Sequence, residues 1–105
     1  MPPSLSPEQR QAALDKAGVA RRERAELKEK LKMGSIDLDE LLRRADADDI
    51  VGKMKVLSVI ESLPGVGKVK ARRTMEEIGI SESRRVRGLG AQQRDALRRA
   101  FPAAG

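Results

Sequence analysis

In this 105-residue chain the nine residues Leu63-Pro64-Gly65-Val66-Gly67-Lys68-Val69-Lys70-Ala71 are the ones best suited to chemistry, and that chemistry is anion binding. Leu-Pro reads as the end of one helix, Gly-Val-Gly as a tight hairpin, and Lys-Val-Lys-Ala as the first turn of the next helix. A helix N-terminus leaves backbone N–H groups without intrahelical acceptors and carries partial positive charge. It can therefore hold an anion without any side chain. Gly65 and Gly67 remove the Cβ atoms that would keep a phosphate away from those groups. Lys68 and Lys70 add charge where a polyphosphate backbone would run, and Ala71 permits close helix packing. Pro64, Gly65, Val66, Gly67, Lys68 and Lys70 thus form a candidate helix-hairpin-helix grip on a sugar-phosphate backbone, blind to base identity. The plainer alternative is a tight turn between packed helices with solvent-facing lysines.

A second candidate is Arg84-Arg85-Val86-Arg87-Gly88-Leu89-Gly90. Arginine forks match phosphate oxygens and can enter a minor groove, and two glycines let backbone approach a ligand closely. The plainer alternative pairs these arginines with Glu76, Glu77 or Glu82. Lys53, Arg21 and Arg22 are further candidate contacts. Two grips on one small protein could hold two backbone stretches of one bent duplex, or of two duplexes.

Composition narrows the partner. The net charge is +6 with no histidine, and it is unevenly spread: +3 over residues 1–32, −4 over 33–52 and +7 over 53–105. A small basic protein with segregated charge points to an acidic polymer. Phe101 is the only aromatic residue, whereas readers of single strands and flipped bases stack them on aromatic rings. A duplex read through its phosphates fits better. There is no cysteine, hence no disulfide or thiolate metal site. No catalytic residue, metal, cofactor or small-molecule substrate is expected. No apolar run could span a bilayer, so a cytoplasmic location without membrane contact is expected.

The elements that must position these residues all read as helices. Residues 1–5 are Pro-rich and expected to be disordered, as is the tail 102–105. Ser6-Pro7-Glu8-Gln9 carries a cap, an N1 proline and a capping-box Gln. It opens a long basic helix ending near Gly34 and occupying 6–34. Its apolar line of Ala13, Ala20, Leu27 and Leu31 is thin, so the first half should project from the domain or lie loosely on it. Beside it runs a stripe of Arg21, Arg24, Lys28 and Lys32, which reads either as a DNA-touching arm or as a solvated face with Arg22, Glu26 and Lys30 spaced for helix ion pairs. A compact helical domain is expected over 35–101. Within it, Asp37 to Glu40 reads as a capping box, and Leu38, Leu41, Leu42 and Ala45 as an inner face. Asp46, Asp48 and Asp49 read as helix-end charge facing away from the ligand. Ile50 to Met54 reads as a connector with a turn at Gly52. Val56 to Leu63 is apolar enough for a strand, but no second strand could pair with it, so a short helix is expected. Val66, Val69, Met75 and Ile78 should line the next helix, with Gly79 as its left-handed cap. Leu97 and Phe101 should face inward from a last helix.

The run VGKMKV…LPGVGKVKA…RRVRGLG closely resembles the actinobacterial integration host factor family, and the similarity extends from Ser6 to Phe101. The resemblance implies an all-α fold, a long N-terminal helix on a compact domain built around a helix-two-turns-helix (S13-like H2TH) module. It implies that Pro64, Gly65, Gly67, Lys68 and Lys70 form the main phosphate-binding surface and that Arg84, Arg85 and Arg87 form a second contact. It also implies a nucleoid-associated protein that binds double-stranded DNA with little sequence preference. Such a protein bends or bridges DNA, with effects on supercoiling, phage integration, recombination and gene expression. Gly65 stands where some members carry Lys, which shifts weight onto backbone N–H groups and onto Lys68 and Lys70.

Two other classes compete. An S13-like module also suits an RNA- or ribosome-binding protein, which preference for duplex RNA over duplex DNA would reveal. A repair lyase would use the Pro2 amine as Schiff-base nucleophile after loss of Met1. Pro3, however, stands where such enzymes place a general-acid Glu, and borohydride trapping on abasic DNA discriminates. With few apolar residues beyond the core stripes, a monomer in solution is expected.

Overall fold

The structure, a computed structural model, describes residues 6–102. The expectations for the tails 1–5 and 103–105, and for Pro2, lie outside the described residues. Six helices follow in order: α1 (Pro7–Met33), α2 (Leu38–Ala45), α3 (Asp49–Gly52), α4 (Val56–Glu61), α5 (Gly67–Ile78) and α6 (Ala91–Ala100), with a 3-10 turn at Val86–Gly88 before α6. No strand occurs among the described residues. The nearest thing is an isolated antiparallel bridge between Lys55 and Arg85.

Local chemistry explains the helix ends. The Ser6 side chain accepts from the Gln9 backbone N–H and the Gln9 side chain accepts from the Ser6 N–H, a reciprocal capping box. Gly34 closes α1 at φ 77° and Gly79 closes α5 at φ 87°. The box expected on α2 is half formed: the Asp37 carboxylate accepts from the Glu40 N–H at 2.8 Å, but Glu40 turns instead to Arg44.

Two helices differ from expectation. Ile50 to Met54 is no mere connector, because Asp48 accepts from the Ile50 and Val51 N–H groups and so starts α3. Gly52 lies inside that helix rather than at a turn. In α5, Val69 is 73% exposed rather than inward. The core-facing positions are Ala71 and Met75, and Val66 precedes the helix as a partly buried anchor.

The core gathers around Leu31, Leu41, Leu42, Met54, Ile60, Met75 and Leu97, all at most 2% exposed. Burying each such side chain contributes about 1.5–3 kcal/mol. α4 packs on α5, α2 on α3 and α6, α5 on α6, and α1 rests on α3 and α4. α1 buries only Leu27 and Leu31, so its first half projects, and the molecule measures 48 × 30 × 26 Å. The ion pairs for which Arg22, Glu26 and Lys30 are spaced do not form. No helix is long and apolar enough to cross a membrane among the described residues.

Candidate nucleic-acid interface

The hairpin joins the end of α4 to the start of α5. Leu63 and Val66 anchor it, partly buried against the core, while Pro64, Gly65 and Gly67 are exposed. Gly65 has φ 73° and Gly67 φ 71°, a backbone region costly to residues with a Cβ. A Cβ at either position would meet nothing within 4 Å. The glycines therefore serve the turn's dihedrals, and the space above them is open to a ligand. Within the hairpin the Val66 N–H is satisfied by Leu63 O at 3.2 Å. The N–H groups of Gly65, Gly67, Lys68 and Val69 have no acceptor among the described residues. That is a set of donors facing water at the positive end of a 12-residue helix, an arrangement suited to phosphate oxygens.

Lys68 and Lys70 are exposed beside these donors. Among the described residues every ion pair uses an arginine and none uses a lysine. The lysine charges are thus uncompensated by protein. An open groove of 620 Å³ runs from the hairpin to α1, lined by Lys28, Lys32, Ser58, Glu61, Ser62 to Gly67, and Lys68.

The second basic segment is held at the other end of α4. The Val56 N–H donates to Arg84 O at 3.0 Å and the Val86 N–H to Met54 O at 2.9 Å. These bonds bring Arg84 and Arg85 alongside Lys53 and Lys55. Arg85 Nη1 donates to Lys53 O at 2.7 Å and Arg84 Nη1 to Gly88 O at 3.1 Å, which orients both forks while leaving the residues exposed. Arg87 turns back into the protein. Its Nη2 donates to Asp49 Oδ1 at 2.6 Å and lies 3.4 Å from Ala45 O. Gly52 makes room for it, since a Cβ there would stand 2.8 Å from Arg87 Nε and 2.9 Å from Ala45 O.

The expected helix-end acids have structural work. Asp49 holds Arg87, and Asp46 takes both Nη atoms of Arg94 at 3.1 Å. Hydrogen bonding to these guanidiniums, reinforced by their charge, holds both carboxyls below the ordinary aspartate value. The pairing of the second segment with Glu76, Glu77 or Glu82 does not occur; Glu82 lies 3.5 Å from Arg72 instead. Among the described residues no group of three or more potential metal ligands converges.

The structure therefore collects the candidates into two basic surfaces at opposite ends of α4, roughly 10 Å apart along its axis at 1.5 Å per residue. Pro64, Gly65, Val66, Gly67, Lys68 and Lys70 lie at one end. Lys53, Arg84 and Arg85 lie at the other, with Arg87 behind them. Arg21 and Arg22 are exposed on α1 and line neither surface. Sequence reasoning missed Lys55, whose only signal was its place two residues after Lys53, and the role of Gly52, which had none.

The chain is similar to known proteins in sequence and in fold. Residues 31–101 match the S13-like H2TH domain. The chain is 56% identical to the "Integration host factor" of Streptomyces coelicolor, covering 98% of this chain and 96% of that one. It is 53% identical to the protein of the same name from Mycobacterium tuberculosis, covering 97% of each. A solved structure of sIHF bound to an 8-base-pair palindromic DNA superposes with TM-score 0.81 at 55% identity, covering 83% of this chain and 98% of that one. This all-helical chain, with its H2TH hairpin between α4 and α5, belongs to the integration host factor family of Streptomyces and mycobacteria.

Proposed function

We propose that this protein is a nucleoid-associated architectural factor that holds double-stranded DNA by its phosphates. The observation that carries the reading is the hairpin. Four unsatisfied N–H groups there sit among two left-handed glycines, flanked by lysines with no counter-ion among the described residues. The similar structure of sIHF bound to an 8-base-pair palindromic DNA supports it. So does the scarcity of aromatic rings, which leaves no stacking platform for single strands.

In this reading Pro64 to Lys70 grip one stretch of backbone, and Lys53, Arg84 and Arg85 grip a second. Arg87 holds the second grip in place through Asp49 rather than touching DNA. The protein acts by binding and shaping DNA, as a monomer without cofactor or catalytic step. Bending or bridging follows from two grips on one rigid body, with consequences for supercoiling, recombination and expression.

Duplex binding by fluorescence anisotropy over a salt series, on two unrelated sequences, tests it. Affinity should fall steeply with salt and be similar for both sequences. Lys68→Glu/Lys70→Glu should weaken binding uniformly across sequences, because phosphate contacts carry no sequence information. Arg84→Ala/Arg85→Ala should make the salt slope shallower by about 2; an unchanged slope leaves the hairpin as the sole grip. Wild-type preference for duplex RNA would overturn the assignment.

A further inference from the structure

The groove between α1 and the hairpin holds charge that the two grips do not use. Lys28 and Lys32 sit one turn apart on α1 and face Lys68 across an open 620 Å³ space. Both are exposed and neither forms an ion pair among the described residues. Gathering three ammonium groups without a counter-ion is unfavourable, so the groove is suited to an anion. Glu61 is the only acid in its lining, and the Ser62 hydroxyl is already committed to Ser58 O at 2.8 Å.

The occupant these features select is a polyanion strand rather than a single anion. The groove is open, and it is continuous with the free N–H groups of the hairpin. The cations also continue along α1. At 100° per residue, Lys32 and Arg24 lie about 40° to either side of Lys28, and Arg21 lies about 20° from it. Arg22 falls about 120° away and Lys30 about 160° away. Arg21, Arg24, Lys28 and Lys32 therefore share one face over about 16 Å of helix, which corresponds to roughly five base-pair steps of duplex.

Building on the DNA reading above, we infer that the phosphate strand gripped at the hairpin runs on through this groove and along α1. Lys28 and Lys32 are its contacts there, and Arg21 and Arg24 continue the track. α1 is then a length-extending part of the DNA surface. Of the two α1 arginines singled out in the sequence, Arg21 is on the track and Arg22 is off it.

The test compares two variants that remove the same charge from α1. One is Lys28→Gln/Lys32→Gln; the other is Lys16→Gln/Lys30→Gln, two lysines that do not line the groove. Both are measured by anisotropy on a duplex of about 20 base pairs over a salt series. Loss of two phosphate contacts should lower the slope of log K against log salt by about 1.8 in the groove variant only. If both variants behave alike, α1 acts only through net charge and the inference falls. Lys68→Glu/Lys70→Glu, run alongside, separates the two levels. If it binds like wild type, the hairpin reading itself fails. If it loses affinity while the groove variant matches its control, only the track along α1 is refuted.

Discussion

Gly65 and Gly67 illustrate how single residues set this surface. Their positive φ angles turn the chain so that the N–H groups of the next turn face outward, and the bare Cα atoms leave the approach open. Charge near them acts with equal directness. Glu61 is the one acid lining the groove with Lys28, Lys32 and Lys68, and it would repel any phosphate drawn there. Glu61→Gln should therefore tighten DNA binding, by roughly threefold at low salt, the order expected for one like-charge repulsion in water-like dielectric. The gain should fade at high salt as screening shortens the interaction. Anisotropy at two salt concentrations checks both the sign and its loss.

Among the elements, α4 does the most positioning with the fewest residues. Its face of Val56, Val59 and Ile60 is buried, so both of its ends are held rigidly, and each end carries one basic surface. The segment around Arg85 has no helix of its own to position it. Backbone bonds to Met54 and Val56 place it, with Arg87 anchored on Asp49 and Arg94 on Asp46 behind. Those anchors titrate. Hydrogen bonds from Arg94 and Arg87 lower the Asp46 and Asp49 carboxyls in the folded state. A carboxyl lowered on folding stabilises the protein above its unfolded value, near 3.8, and that contribution is lost as pH falls through the folded value. In thermal unfolding scans, Asp46→Asn/Asp49→Asn should melt below wild type at pH 6. The two proteins should converge as pH drops below about 4. A gap that does not narrow at all as pH falls below about 4 would mean the carboxylate charge is not what anchors the loop.

The whole molecule is a compact helical body with a long arm. Stability and reach are assigned to different parts of α1. Leu27 and Leu31 are the only side chains of α1 in the core, while Leu14 is 61% exposed on the arm. Leu31→Ala should cost about 2–5 kcal/mol by denaturant unfolding, as for other fully buried leucines. Removing residues 1–17 should change the same measurement by less than about 1 kcal/mol, because that stretch buries no side chain among those described. Were the truncation as damaging as the core substitution, the arm would be part of the fold rather than an appendage.

Interactions between near neighbours in the chain were open to sequence reading. The Ser6–Gln9 box, the glycine caps at 34 and 79, the inner face of α2 and the hairpin's Gly-Val-Gly turn depend on residues within one helical turn of each other. Their chemistry is therefore visible as spacing. The same locality made Gly65 to Lys70 legible as a candidate phosphate grip before any fold was known. What only the tertiary structure decided depends on residues far apart in the chain. Arg87 meets Asp49 across 38 positions and Arg94 meets Asp46 across 48. That is why runs of like-looking arginines and acids could not be sorted into anchors and free charges from spacing alone. Gly52 reads as a turn by composition, but packing against Arg87 makes it a helical residue chosen for its lack of a Cβ. Val69 fits the apolar period of α5, yet α4 and α6 cover a different face and leave it in solvent. The groove joining Lys28 and Lys32 to Lys68 exists because α1 packs across α4. Helix periodicity specifies which residues share a face; which face meets which neighbour is settled by the burial of the whole core at once.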